Sequence, residues 1–249
     1  MDLLTKDSSK LKKAEALGFH NYAVYLQPTD LSGWNVCSHA TEGCRKACLN
    51  LSGLGAIGHV KRLTFDDVAA WNHAGSVQSA RQQRTAALMV NTEWFFQKLE
   101  KELKAAVKKG TKEKKRVALR LNGTSDLDWD QPKWKSLFDI EAFCKREGIE
   151  RYEYTKVPNR WKLRPGVSWT YSLNEGPNSE RWASDYLANG FNCAVVFRDG
   201  PPASFSIAGK DFTVINGDEH DLRFADPRPC VVGLKAKGWA KQDMSGFVR

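Results

Sequence analysis

The chain has 249 residues, 41% of them hydrophobic and 27% charged, with nine Trp. That composition excludes a disordered polymer and supplies one sizeable core, and no run approaches the roughly 18 apolar residues of a membrane-crossing helix. Lys and Arg outnumber Asp and Glu 38 to 29, a net charge of +9, and such a field draws polyanions, nucleic acid or a nucleotide among them.

No repeat, low-complexity tract or long linker interrupts the chain, which reads as one domain over 21–249 after a Lys-rich arm or short helix over 1–20. The first residues, Met1 to Lys6, carry neither a basic nor an apolar leader region. A cytoplasmic location follows as the expectation. Tyr22 to Leu26 alternate as a strand. A Gly- and Cys-rich loop over 31–58 comes next, and a structureless stretch of that length is usually functional. A helical region runs from Val77 to Lys109, with Asn91 or Thr92 as a cap. Phe96, Leu99, Leu103 and Ala106 form its inward stripe and Gly110 its end. The charge run from Lys104 to Lys115 reads as a solvated helix end. Strands then alternate with helices. Val117 to Leu121, Arg151 to Thr155, Val167 to Ser172, Cys193 to Phe197, Phe212 to Ile215 and Cys230 to Leu234 are strands. Helices open at Pro132, with Leu137, Phe138 and Phe143 inward, and at Ser179. This alternation predicts βαβ units and a parallel sheet. A complete or partial (β/α) barrel is the first reading of that pattern, and a doubly wound open sheet is the second.

In such folds chemistry sits at the carboxyl ends of the strands. Those ends carry Asn122-Gly-Thr-Ser-Asp126, Thr155-Lys156, Ser172-Leu-Asn-Glu175 and Asn216-Gly-Asp-Glu-His-Asp221. The strongest chemical signal lies in the loop, where Cys37, Cys44 and Cys48 follow C-x6-C-x3-C within twelve residues. Cytosolic thiols stay reduced, so clustered ones point to a metal or cluster rather than to disulfides. Zinc with His39 as fourth ligand is one reading. A [4Fe–4S] cluster with one open iron is the other. Cys144, Cys193 and Cys230 sit on a helix face and at strand starts and read as buried thiols. Trp34 reads as a packing anchor of the loop. No H-E-x-x-H, Walker or G-x-S-x-G pattern is present.

Several stretches resemble the phage gene product 88 domain family: Leu31-Ser-Gly-Trp-Asn-Val-Cys37, Gly43-Cys-Arg-Lys-Ala-Cys-Leu-Asn50, Arg120 to Asp126, Tyr152 to Lys156, Gly217 to Phe224 and Gly233 to Gly238. That family implies no function. A more distant likeness is to phage and bacterial radical-SAM-like proteins, through the Cys37-x6-Cys44 loop, Ser125-Asp126 and Thr155-Lys156-Val-Pro158. The spacing before Cys48 is x3 here and x2 there. This second resemblance implies a barrel, a [4Fe–4S] cluster on Cys37, Cys44 and Cys48, and S-adenosylmethionine. Asn122, Ser125 and Asp126 would then face its amino group or ribose, Lys156 its carboxylate, and Asn174 and Glu175 its adenosine or the substrate. Asp218, Asp221 and Arg223 would reach substrate, unless Asp218 and Asp221 serve a turn and a salt bridge to Arg223. The candidate catalytic residues are thus Asp126, Lys156, Glu175, Asp218 and Asp221. Two other functions are open: a non-enzymatic nucleic-acid binder stapled by zinc or a cluster, and a metal-dependent nuclease using Asp126, Asp128, Asp218 and Asp221.

Overall fold

A computed structural model describes residues 1–6, 9–29, 31–51 and 77–249; the expected Cys loop therefore lies outside the described residues from position 52 onward. The chain divides into two compact units, Met1–Ser38 with Gly53–Arg151, and His39–Ser52 with Tyr152–Arg249.

In the first unit the strand β1 (Leu4–Thr5) pairs antiparallel with β2 (Phe19–Val24), and β2 pairs parallel with β3 (Arg116–Arg120). The start of β4 (Glu150–Thr155) joins β3 through Ala118 opposite Glu150 and Leu119 opposite Arg151. A short helix α1 (Ser9–Lys13) precedes β2. The expected long helical region is two helices, α3 (Val77–Val90) and α4 (Thr92–Glu113), broken at Asn91; α2 (Glu42–Lys46) belongs to the other unit. The inward stripe of α4 is the expected one, with Phe95, Phe96, Leu99, Leu103 and Ala106 buried. These side chains pack on Val117, Leu119 and Leu121 and on the rings of Trp129, Trp134, Phe138 and Phe143. Each such side chain withdrawn from water contributes about 1.5–3 kcal/mol.

Two details differ from expectation. Gly110 does not end α4. The helix continues to Glu113, and Lys114 caps it at φ 51. Gly110 is buried where an added Cβ would lie 2.7 Å from the Lys115 carbonyl and 3.1 Å from Val117, so glycine serves the close approach of helix to strand. The helix opening at Pro132 is split into α5 (Pro132–Lys135) and α6 (Ile140–Glu147), and Leu137, in the break between them, is 42% exposed rather than inward.

The second unit continues β4 and adds β5 (Ser168–Ser172), β6 (Asn192–Phe197), β9 (Val231–Lys235), β8 (Lys210–Asn216) and β7 (Ser204–Ile207), in that spatial order. All pairs are parallel except the β7–β8 hairpin. The helices are α2 (Glu42–Lys46), α7 (Arg160–Leu163) and α8 (Ser179–Ala188). Ala183, Tyr186 and Leu187 of α8 pack on Trp169, Tyr171, Cys193 and Val195. The hairpin turns at Ala208 (φ 50) and Gly209 (φ 76), the positive-φ pair of a two-residue turn matched to strand twist. It places β7 and β8 outermost, and the chain then returns to lay β9 beside β6.

The nine strands therefore follow the order β1-β2-β3-β4-β5-β6-β9-β8-β7. From β2 to β6 the order advances in one direction, without the reversal that defines a doubly wound sheet. Among the described residues β1 and β7 each have a neighbour on one side only, so the sheet is mostly parallel, mixed α/β and open. The complete barrel is overturned by those two unpaired edges.

Candidate functional site

In the first unit the residues after β3 build a tight turn around one amide. Asn122, 2% exposed, accepts with Oδ1 from Ser125 Oγ at 2.8 Å, the Leu127 N–H at 2.9 Å and Trp129 Nε1 at 3.0 Å, and its Nδ2 donates to the Leu127 carbonyl at 3.1 Å. Asn122 and Ser125, expected to face a cofactor, thus use their polar atoms to shape the turn. The next residue, Asp126, is half-buried, and its backbone N–H donates to the Val36 carbonyl at 2.8 Å. Cys37 lies against the same turn. Its Sγ accepts from the Thr29 N–H at 3.4 Å and donates to the Thr124 carbonyl at 3.6 Å. This unit therefore gathers Cys37, Asn122, Ser125 and Asp126, beyond the ends of two adjacent parallel strands.

In the second unit Glu175 follows β5 and reaches α2. Its Oε2 accepts from Thr41 Oγ1 at 2.8 Å, and its Oε1 accepts from the Gly43 N–H at 2.6 Å. Thr41 in turn caps α2 by accepting from the Cys44 N–H at 3.4 Å. A carboxylate on the first turn of a helix is favoured by its orphan N–H groups. Gly43 is required by packing, since an added Cβ would lie 2.8 Å from Glu175 Oε1 and 2.8 Å from Phe247 Cβ. Phe247 also carries Lys156 Nζ 5.4 Å above its ring. That ammonium, just past β4, donates to Ser172 Oγ at the end of β5 at 2.8 Å. Lys156, Ser172, Glu175 and the α2 segment bearing Cys44 are therefore one connected set at the carboxyl ends of β4 and β5. Asn174 is 4% exposed and folds its Oδ1 back to the Gly176 N–H at 2.8 Å.

Asp218 binds Lys237 Nζ at 2.7 Å and the Lys235 N–H at 3.0 Å. It ties the loop after β8 to the end of β9, a structural role in a turn. Asp221 is 3% exposed, and its carboxylate accepts from Tyr152 Oη at 3.0 Å, which turns it away from the solvent-facing rim expected of it. Arg223 meets the Asp226 carboxylate at 3.2 Å. Burial lifts the Asp226 carboxyl to about 6 despite that guanidinium. Neither Asp226 nor the Glu175–α2 bond was legible from the sequence. The nearest signals were a Gly immediately before Cys44 and a Glu three residues past a strand end.

All six cysteines are free. Cys37, Cys44 and Cys48 are partly exposed, and Cys144, Cys193 and Cys230 are buried. Three thiols are a soft donor set suited to iron–sulfur or zinc. As the side chains are placed, no three His, Cys, Asp or Glu among the described residues form a group that could hold a metal ion.

These features define a mixed α/β protein with a mostly parallel open sheet, polar strand ends and a thiol-bearing loop. A family model described as gene product 88 matches residues 2–249, and the chain belongs to that phage family. No curated protein matches the chain, and no solved structure does. No helix among the described residues is long and apolar enough to cross a membrane.

Proposed function

We propose that this chain is an iron–sulfur protein of the host cytoplasm that resembles radical-SAM enzymes, with Cys37, Cys44 and Cys48 as iron ligands and a nucleic acid or nucleotide as substrate. One observation carries the reading: the three partly exposed thiols are those of the C-x6-C-x3-C loop, and every other thiol is buried. Buried thiols pack as small apolar groups, whereas ligand thiols must be reachable and deprotonated.

A cluster with an open iron supplies one-electron chemistry to a bound S-adenosylmethionine. The chain's own residues supply position. Glu175 fixes the helix that carries Cys44 by accepting two hydrogen bonds. Lys156, held by Ser172, offers an ammonium to a carboxylate or phosphate. Asp126 offers a half-buried carboxylate to an amine or hydroxyl. The one-directional strand order from β2 to β6 also supports a partial-barrel arrangement. The nuclease reading is disfavoured because Asp218 and Asp221 already serve Lys237 and Tyr152.

The test is iron and sulfide analysis of anaerobically purified protein. Cys44→Ser loses the bound iron and its visible absorption, and Cys193→Ser keeps both. A colourless protein holding stoichiometric zinc would establish the stapled, non-enzymatic alternative. Release of 5′-deoxyadenosine after dithionite reduction tests the cofactor, and an intact cluster without product removes that part.

A further inference from the structure

The helix α4 separates its charges. At about 3.6 residues per turn, Trp94, Lys101, Ala105, Lys108 and Lys112 share the ridge opposite the buried stripe. Its four glutamates, Glu93, Glu100, Glu102 and Glu113, lie on the flanks. Three of them pair with flank lysines at i and i+4: Lys104–Glu100 at 2.7 Å, Lys98–Glu102 at 3.4 Å and Lys109–Glu113 at 3.8 Å. Lys101, Lys108 and Lys112 have no carboxylate within ion-pairing distance among the described residues. All three are exposed, and Trp94 at the far end of the ridge is 40% exposed. Beyond Lys112 the exposed Lys114 extends the same basic end of the unit.

A helix that only needs solvation spreads opposite charges over its outer face, because i,i+4 pairs stabilise it and like charges at that spacing cost a similar amount. Lys108 and Lys112 are such a like-charged pair, with Lys104 one turn before them. An uncompensated lysine row with an aromatic at one end complements a chain of phosphates with unstacked bases nearby. From Lys101 to Lys112 the row is about 16 Å long, enough to meet several backbone phosphates. An anionic membrane would also meet the charge, but the ridge offers only Trp94 as an apolar side chain to insert.

We infer that the ridge formed by Trp94, Lys101, Lys108 and Lys112 is a sequence-independent docking surface for a nucleic-acid backbone. It gives the substrate class of the preceding section a place of contact, yet it does not rest on the thiol loop, and Cys44→Ser leaves it intact.

The test is fluorescence anisotropy with labelled random-sequence single-stranded and duplex DNA over a salt series. The triple variant K101E/K108E/K112E binds at least tenfold more weakly, and its log–log salt slope falls by about 2–3, the loss of that many phosphate contacts. The milder K101Q/K108Q/K112Q, which keeps helix propensity, shows the same direction. The control K145E/K162E/K210E carries the same charge change on other exposed lysines and retains binding. Equal weakening in control and ridge variants would reduce the effect to net charge and overturn the site. So would absence of binding by the wild type, or binding to phosphatidylserine vesicles in preference to DNA. Trp94→Ala weakens single-strand binding more than duplex binding if bases stack there; equal loss on both would remove the stacking role.

Discussion

Cys193 and Cys230 sit at the starts of adjacent strands, and burial pushes both thiols up to about 12. They stay protonated and unreactive at neutral pH, since the thiolate is the nucleophile. In chelator-treated native protein, maleimide is expected to modify Cys37, Cys44 and Cys48 rapidly, and Cys144, Cys193 and Cys230 only after denaturation. Mass mapping of the labelled peptides checks this, and Cys193 reacting as fast as Cys44 would contradict it. The division of thiols could be read from the sequence, because a Cys beside Ile140 and Phe143 on a helix faces the core. The fate of Asp221 could not. A carboxylate in a polar loop looks the same whether it faces water or folds back onto the buried Tyr152, and only the long-range contact separates the cases.

At the scale of elements, the strands were legible because their apolar runs are flanked by turn residues, and all seven expected strands occur within a few residues of their places. The β7–β8 hairpin was not fully legible. Its turn is Ala208-Gly209, and Ala is an uncommon residue at positive φ. The end of α4 was misplaced for a different reason: Gly110 fits a cap by propensity, but its packing against Lys115 and Val117 decided its role. The anchoring of α2 rests on Gly43 and Glu175, far apart in sequence. Gly43→Ala is expected to cost about 1–3 kcal/mol, the usual range for overpacking. Glu175→Gln is expected to cost about 1.5–3 kcal/mol, the range for hydrogen bonds to a charged group. Urea midpoints of the two variants check both values. Full stability in Gly43→Ala would mean that α2 does not pack on Phe247.

For the whole molecule, acid adds positive charge to a chain already at +9, and self-repulsion then lowers stability. Asp226 acts in the opposite sense. Its folded carboxyl titrates at about 6 against an ordinary 3.8. Between those values the folded state holds more protons than the unfolded one, so the contribution of this group is complete at the acid end and is lost as pH rises through about 6. The unfolding free energy of the wild type minus that of Asp226→Asn should therefore decline across that window. A difference that climbs with pH would assign the carboxyl the reverse shift. The order of strands along the sheet was largely legible, because sequential βαβ units lie side by side, whereas its open margins were not, because closure depends on register and not on pattern. Those margins carry their own consequence. β1 has two residues and β7 four, both run against their neighbours, and Ser204 and Ser206 of β7 are exposed. Brief, hydroxyl-bearing borders give a stray chain few unpaired amides to seize, so the ladder resists lengthening into fibrils even though its interior strands are rich in Val and Tyr.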